Sequence, residues 1–293
     1  MPHLLQNKQL SIHLDLPFEG YASSRFDQTG KISRVFFHDV ELTGSELGEH
    51  NKISNNGRGF YNEFGIDKAL GFEEANEGEY FHKIGVGLLK KTGSTYNFNT
   101  PYAIQKAKFS QQLEAHKAVF YCSAPLAQGY AYSLSKEITL NNNGFSTQYR
   151  LENTGEKTIV SDEYNHNFIA LPAHHPQPKV RLNFSFDLEP EHFIENVNPD
   201  GAIAFHADAM HVQRTAREPF FFSGLPKGKS VSAQWEMQLL EKGIGIKEFG
   251  NFKTSKINVW GWSHVLSPEL FFTFQIAPGK AVHWSRTWEF FRV

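Results

Sequence analysis

Short runs of β-branched and aromatic residues, separated by turn formers, recur along the chain. Clear examples are Lys31–Val40, Ala118–Cys122, Tyr130–Leu140, Val231–Leu240 and Val282–Phe291. Such runs are typical of β-strands. No window of about a dozen residues has the i, i+3, i+4, i+7 apolar spacing of an amphipathic helix. The pattern therefore predicts an all-β protein, either a sandwich or a barrel, with little helix.

The strand predicted over Ser161–Leu171 is polar on both of its faces before it turns apolar. Side chains alternate between the faces of a strand. One face carries Asp162, Tyr164, His166 and Phe168, and the other carries Glu163, Asn165, Asn167 and Ile169. A strand inside a sandwich has an apolar inward face, so this segment either ends at a cleft or forms a solvated edge.

Composition narrows the class of protein. The 293 residues carry 29 Lys and Arg against 31 Asp and Glu, which argues against a nucleic-acid partner. The aromatic content of 14% excludes a disordered chain, and the single Cys122 excludes an internal disulfide framework. We see no linker, no internal repeat, no secretory signal and no apolar run of the roughly 18 residues that a membrane span needs. We therefore expect one domain over residues 1–293, cytoplasmic and without a membrane partner.

Two motifs resemble the aldose 1-epimerase, or galactose mutarotase, superfamily. The segment Asn165–Leu171 (NHNFIAL) is similar to the family's N-H-x-[FY]-[FI]-x-L strand, and Tyr149–Glu156 is similar to the strand and turn before it. Ser267-Pro268-Glu269, followed by Pro278-Gly279, resembles the family's late glutamate strand and turn. The resemblance implies a galactose mutarotase-like supersandwich of large antiparallel sheets. It also implies that His166 is the general acid and Glu269 the general base.

The first half of the chain resembles the family more loosely. Arg58 opens a segment, RGFYNEFG, similar to the sugar-binding loop of hexose-6-phosphate mutarotases. His82 stands where the family often has a His-Gly pair, although Lys83 replaces the glycine. The resemblance implies that both Arg58 and His82 bind sugar. The family's sugar-binding aspartate has no clear match, and Asp208 and Glu218 are the nearest choices.

Aromatic and histidine-rich segments offer further sites. Trp260 and Trp262 alternate onto one face of INVWGWSH, and either ring could stack on the C–H face of a sugar or pack in the core. The segment His206–His211 (HADAMH) and the pair His174-His175 invite comparison with metal sites, but neither has a known ligand spacing. We expect no metal and no cofactor.

Mutarotation requires only an acid and a base, since a hemiacetal ring opens when one proton leaves the anomeric hydroxyl and another reaches the ring oxygen. We expect His166 and Glu269 to flank a gap about one sugar ring wide, and the pKa of His166 to be held at or above its reference value. The implied partner is a small carbohydrate. The alternatives are a non-catalytic carbohydrate-binding protein on the same fold and a metal-dependent β-barrel enzyme. The sequence does not identify the sugar or the oligomeric state. It also leaves open whether the sugar carries a phosphate, for which Arg58, Lys83 and Arg217 offer positive charge.

Overall fold

The computed structural model describes residues 2–48, 56–172 and 178–293. Within these ranges the chain is almost entirely strand and turn, with one short 3-10 helix at Pro190–His192. The strands are β1 (His3–Gln6), β2 (Leu10–Asp15), β3 (Lys31–Phe37), β4 (Val40–Glu41), β5 (Phe60–Phe64), β6 (Tyr80–Lys83), β7 (Gly87–Lys90), β8 (Ile104–Lys106), β9 (Lys108–Leu113), β10 (Lys117–Ala127), β11 (Tyr130–Leu140), β12 (Gly144–Asn153), β13 (Ile159–Asn167), β14 (Ile169–Ala170), β15 (Val180–Phe184), β16 (Glu195–Val197), β17 (Ile203–His206), β18 (Ala209–Val212), β19 (Phe220–Ser223), β20 (Val231–Leu239), β21 (Ile244–Thr254), β22 (Ile257–Trp262), β23 (Val265–Ile276) and β24 (Ala281–Arg292).

The strands form three antiparallel sheets. The first sheet has 11 strands in the order β1-β2-β3-β5-β13-β23-β22-β19-β16, with β4 beside β3 and β14 beside β23. The second has 10 strands in the order β17-β18-β15-β20-β21-β24-β12-β11-β10-β9, and β6-β7-β8 form a small third sheet. The predicted all-β architecture of large antiparallel sheets is confirmed, while the single-domain organisation stays a prediction. None of the described helices is long and apolar enough to cross a membrane.

Apolar side chains from the two large sheets meet in a shared core. Ile12, Val35 and Phe60 from the first sheet belong to the same buried cluster as Met237 and Trp288 from the second. Ring stacking adds to this packing, since Phe60 lies 5.8 Å from Trp288, centroid to centroid. The outward positions of the long strands are more exposed, which is the alternation that a sheet with one buried face requires.

Strand β13 lies in the middle of the first sheet, between β5 and β23. The solvated-edge interpretation of this strand is therefore wrong. Its polar inner face meets the second sheet: Glu163 binds Arg286 Nη2 at 2.7 Å, and Asn167 Nδ2 donates to Glu248 Oε2 at 2.8 Å. Arg286 also donates to Glu248 Oε1 at 2.8 Å, so these buried groups satisfy one another. The other face of β13, with Tyr164 and His166, is turned away from the second sheet.

Pro268 lies inside β23, although a proline in a sheet is usually found on an edge strand or at the start of a strand. Its position pairs with Val259 of β22 on one side. On the other side β23 pairs with β14 up to Leu266 and with β13 from Phe271, so the ladder is interrupted around Pro268. Asn167 Nδ2 donates to the Pro268 carbonyl at 2.7 Å in this interval. The proline is tolerated here because the sheet needs no backbone N–H from it.

Candidate active site

A cavity of about 720 Å³ lies on the face of the first sheet that is turned away from the second sheet. This volume is within the range of small-molecule sites, roughly 300–1,000 Å³. Aromatic rings form much of its wall: Phe98, Tyr164, Phe221, Trp260 and Phe271. The polar and charged groups that reach it are Arg25, Glu46, Asp67, Asn99, His166, Glu195, Ser223, Ser255, Lys256, Asn258 and Glu269.

His166 and Glu269 meet in this cavity. His166 Nε2 lies 3.2 Å from Glu269 Oε1, and the residues are only 3% and 4% exposed. The expectation of a gap one sugar ring wide is therefore wrong. Direct contact still suits anomer exchange, because the two oxygens that exchange protons are both bonded to the same anomeric carbon. An acid and a base that serve these oxygens need to reach one edge of the sugar ring only.

Neighbouring side chains fix the plane of the His166 imidazole. The ring stacks on Phe168 at a centroid distance of 3.9 Å and an interplanar angle of 15°. Trp260 meets it edge-on at 5.7 Å. Ser267 Oγ lies 2.5 Å from Nδ1, on the opposite side of the ring from Glu269. The imidazole is thus held by packing on its face, by the Ser267 hydroxyl at Nδ1 and by the Glu269 carboxyl group beside Nε2.

Burial drives both members of the pair toward their uncharged forms. It raises the pKa of Glu269 to about 8, and the nearby carboxylates of Glu63 and Glu46 add to this shift while Arg25 opposes it. Burial, assisted by the positive charge of Arg25, lowers the pKa of His166 well below its usual value. The expectation that the pKa of His166 is held at or above its reference is therefore wrong. Between these two pKa values the pair carries one proton on Glu269 or Nε2 and has no net charge.

Arg25 is a cavity residue that the sequence analysis missed. It lies in the loop between β2 and β3 and is only 4% exposed. Its Nε donates to Glu63 Oε2 at 2.9 Å, and its Nη1 donates to Glu46 Oε1 at 2.8 Å. Its guanidinium also lies over the Phe98 ring, 4.6 Å from the centroid. These contacts hold the guanidinium at the cavity wall and partly neutralise it.

Glu63 lies behind the cavity wall and binds two of the residues that line the cavity, Arg25 and Tyr164. Its buried carboxylate accepts hydrogen bonds from Arg25, from Lys83 Nζ at 3.0 Å and from Tyr164 Oη at 2.8 Å. Burial alone would raise the pKa of Glu63, but Lys83 and Arg25 outweigh it and the net shift is downward. Glu63 is therefore an anion at neutral pH that ties Arg25 and Tyr164, both cavity residues, to the sheet.

A second cation on the wall is also bound by two carboxylates. Lys256 Nζ lies 2.9 Å from Asp67 Oδ2 and 3.2 Å from Asp162 Oδ2, and it sits over the Phe271 ring. Asp67 and Glu195 bring acidic groups to the cavity. Asp208 and Glu218, the aspartate-site candidates from the sequence, are not among its lining residues.

The structure brings together only some of the predicted sugar-binding residues. Trp260 lines the cavity, whereas Trp262 does not, and its Nε1 donates to the Arg217 carbonyl at 3.0 Å. Arg58 is exposed and pairs with Ser45 outside the cavity. His82 is a fully buried residue of β6 in the small third sheet, and its Nε2 lies 2.8 Å from the Tyr130 carbonyl oxygen. Arg58, His82 and Trp262 therefore drop out of the proposed site.

The histidine-rich segments do not extend the cavity. His206 and His211 lie in a separate groove on the outer side of the second sheet, with Arg181. His174 and His175 lie outside the described residues. Among the described residues, Glu189, Glu191 and His192 are close enough to share an ion, but Glu189 already pairs with Lys227. This cluster gives no reason to assign a metal to the cavity.

Comparison with known proteins agrees with the fold. No protein-family model matches the chain, and no curated protein matches it either. The Slr1438 protein from Synechocystis sp. PCC 6803 matches with a TM-score of 0.65 and 8% identity, over 100% of this chain and 96% of its own. A candidate aldose 1-epimerase from Escherichia coli K12 matches with a TM-score of 0.62 and 10% identity, over 100% and 99%.

A galactose mutarotase related enzyme from Lactobacillus acidophilus gives a TM-score of 0.61 at 11% identity, over 99% of this chain and 97% of its own. At such identities these matches speak for the fold alone. They agree with the paired antiparallel sheets described above. The chain therefore has the galactose mutarotase-like fold of the aldose 1-epimerases, as its motifs predicted.

Proposed function

We propose that this protein is an aldose 1-epimerase-type enzyme that interconverts the α and β anomers of an uncharged sugar. The observation that carries the proposal is the contact between His166 and Glu269 inside a cavity walled by aromatic rings. The neighbours' names point to the same class of reaction, aldose 1-epimerase and galactose mutarotase.

Ring opening uses the form of the pair in which Glu269 is a carboxylate and His166 an imidazolium. Glu269 removes the proton of the anomeric hydroxyl, whose oxygen becomes the aldehyde oxygen as the bond from C1 to the ring oxygen breaks. His166 Nε2 gives its proton to the ring oxygen. The pair is then a carboxylic acid beside a neutral imidazole. After rotation about C1–C2 the same steps run backwards and close the ring on the other face. Positioned acids and bases of this kind are typically worth about 10²–10⁴-fold each.

Burial favours one of the two protonation states that this cycle needs, and the other is one proton transfer away. The carboxylic acid and neutral imidazole form, which burial favours, is the state reached after ring opening. The other state differs only by one proton moved between Oε1 and Nε2, atoms 3.2 Å apart. Neither state carries net charge, so the cycle places no uncompensated charge in the buried site.

The charges on the wall support an uncharged substrate. Arg25 is bound by Glu46 and Glu63, and Lys256 is bound by Asp67 and Asp162. Of the cations proposed for a phosphate, Arg58 lies outside the cavity, Lys83 is buried on Glu63 and Arg217 pairs with Asp200. The described wall is therefore rich in carboxylates, and a phosphate or a sugar acid would meet electrostatic repulsion.

Saturation-transfer NMR of anomer exchange tests this proposal. Aldoses such as glucose, galactose and mannose are each compared with their 6-phosphates, with protein added at catalytic concentration. The proposal predicts accelerated exchange for at least one free aldose and much slower exchange for its phosphate. Faster exchange of the phosphates would overturn the charge argument. Binding of an aldose without accelerated exchange would favour the non-catalytic carbohydrate-binding alternative.

A further inference from the structure

A single strand binds both nitrogens of the His166 imidazole. Ser267 and Glu269 are two residues apart on β23, so their side chains leave the same face of the strand. Ser267 Oγ lies 2.5 Å from Nδ1, and Glu269 Oε1 lies 3.2 Å from Nε2. Ser267 is fully buried. Because both side chains belong to one strand, their spacing along β23 determines both contacts with the imidazole.

The acid and base chemistry of an imidazole constrains what Ser267 does. Nε2 faces Glu269 and must both give and take a proton. A neutral imidazole with its hydrogen on Nε2 can release that hydrogen only as an imidazolate anion, which is not accessible near neutral pH. An imidazole with its hydrogen on Nδ1 can gain or lose a proton at Nε2 freely. The identity of the hydrogen-bonded group at Nδ1 decides which tautomer is present.

We propose that Ser267 is a positioning residue that accepts a hydrogen bond from Nδ1–H of His166 in both protonation states, so that only Nε2 exchanges a proton. Its catalytic consequence rests on the proposed function, whereas the tautomer itself does not. The Phe168 ring stacks on the imidazole and restricts its rotation, which helps to keep Nδ1 facing Ser267. Ser267 supplies no proton to the sugar and acts through His166.

A serine at this place has an advantage over a carboxylate. Among the described residues, the charged and titratable groups near the imidazole include Glu269 from β23, Arg25 from the β2–β3 loop, Tyr164 from its own strand and Tyr61 from β5. A second carboxylate at Nδ1 would favour the charged imidazolium over the neutral imidazole. The hydroxyl orients Nδ1–H without adding charge, which leaves the neutral imidazole accessible to the cycle.

The tautomer can be measured directly on the wild-type protein. Histidine rings are labelled with ¹⁵N, and the His166 signals are assigned by their absence from a His166→Asn variant. At neutral pH the proposal predicts a protonated Nδ1 and an unprotonated Nε2. The reverse pattern would overturn it. This result needs no sugar, so it stands apart from success or failure of the proposed function.

Substitution of Ser267 tests the consequence for catalysis. Ser267→Ala leaves Nδ1–H without its acceptor, and we expect kcat to fall about 10–100-fold, the range seen for groups that orient metal-bound histidines, with KM changed little. The ¹⁵N signals of the Ala variant should show a mixture of the two imidazole tautomers. Ser267→Thr keeps the hydroxyl and should therefore keep both the wild-type tautomer and the wild-type kcat. An Ala variant with the wild-type tautomer, or with the wild-type kcat, would show that Ser267 does not position His166.

Discussion

His166 Nε2 and Glu269 Oε1 are 3.2 Å apart in the wall of a cavity of about 720 Å³. They come from adjacent strands of one sheet, β13 and β23, although 103 positions separate them in the sequence. The distance is short enough for one proton to be shared. The burial that shifts their pKa values in opposite directions therefore acts on the pair as a unit.

This pairing predicts a bell-shaped dependence of kcat on pH. Activity requires that the pair hold one proton. Above a pH of about 8 the Glu269 carboxyl loses the last proton, so kcat falls on the alkaline side near that value. Below the lowered pKa of His166 the pair gains a second proton, so the acidic limb lies below 6.5. Initial rates of anomer exchange, corrected for the uncatalysed reaction, give the profile. An acidic limb above 6.5 would contradict the assignment.

Arg25 contributes positive charge beside the pair, and its removal should move the alkaline limb. Arg25 lowers the pKa of Glu269, so Arg25→Leu should shift the alkaline limb of kcat to higher pH. Arg25→Lys retains a charge and should shift it less. The matched control is Arg58→Leu, because Arg58 is exposed and outside the cavity. Equal shifts in the Arg25→Leu and Arg58→Leu variants would contradict the placement of Arg25.

Trp260 and Trp262 form a natural pair for testing sugar contacts. Both are on β22 and point to the same side, but only Trp260 lines the cavity. Trp260→Ala should weaken sugar binding, with a loss of about tenfold if one ring face stacks on the sugar. Trp262→Ala should leave affinity within about twofold, since its ring binds the Arg217 carbonyl elsewhere. Titration calorimetry or ligand-detected NMR gives both affinities, and a larger loss for Trp262→Ala would refute the assignment.

Glu63 should matter for stability more than its single carboxylate suggests. Glu63→Leu leaves Arg25 and Lys83 without their buried anion. Removal of one partner of a buried ion pair typically lowers the free energy of unfolding by about 3–5 kcal/mol. Glu152→Gln, which removes the partner of Arg150 on the surface, should cost about 1 kcal/mol or less. Urea denaturation compares the two, and similar losses would count against a structural role for Glu63.

The sequence was most informative where chemistry is local. His166 and Glu269 were predicted as a pair because the residues that flank each of them resemble a family motif, and the two-faced polarity of Ser161–Leu171 left a cleft open as one of two interpretations. The all-β architecture followed from alternation and from the absence of helical periodicity. Both signals depend on neighbours in sequence, so neither required knowledge of the packing.

The rest of the site depends on long-range packing that no local pattern records. Arg25 and Lys256 resemble ordinary solvated residues in sequence, and only the fold places each between two carboxylates at the cavity wall. Arg58 and His82 were predicted to bind sugar from short motif matches, but neither lines the cavity. Arg58 is exposed at the surface, and His82 is buried in the core. The predicted gap between His166 and Glu269 was wrong for a similar reason, because their separation is determined by the pairing of β13 with β23.

Comparison of the wild type with Glu269→Gln in saturation-transfer NMR tests the central claim most directly. Glutamine keeps the size and hydrogen-bonding capacity of the side chain but cannot accept the proton of the anomeric hydroxyl. For the aldose that the wild type converts best, we expect kcat to fall about 10²-fold or more while the affinity for the sugar stays nearly unchanged. If the glutamine variant exchanges anomers as fast as the wild type, Glu269 is not the base and the His166–Glu269 pair is not the catalytic centre.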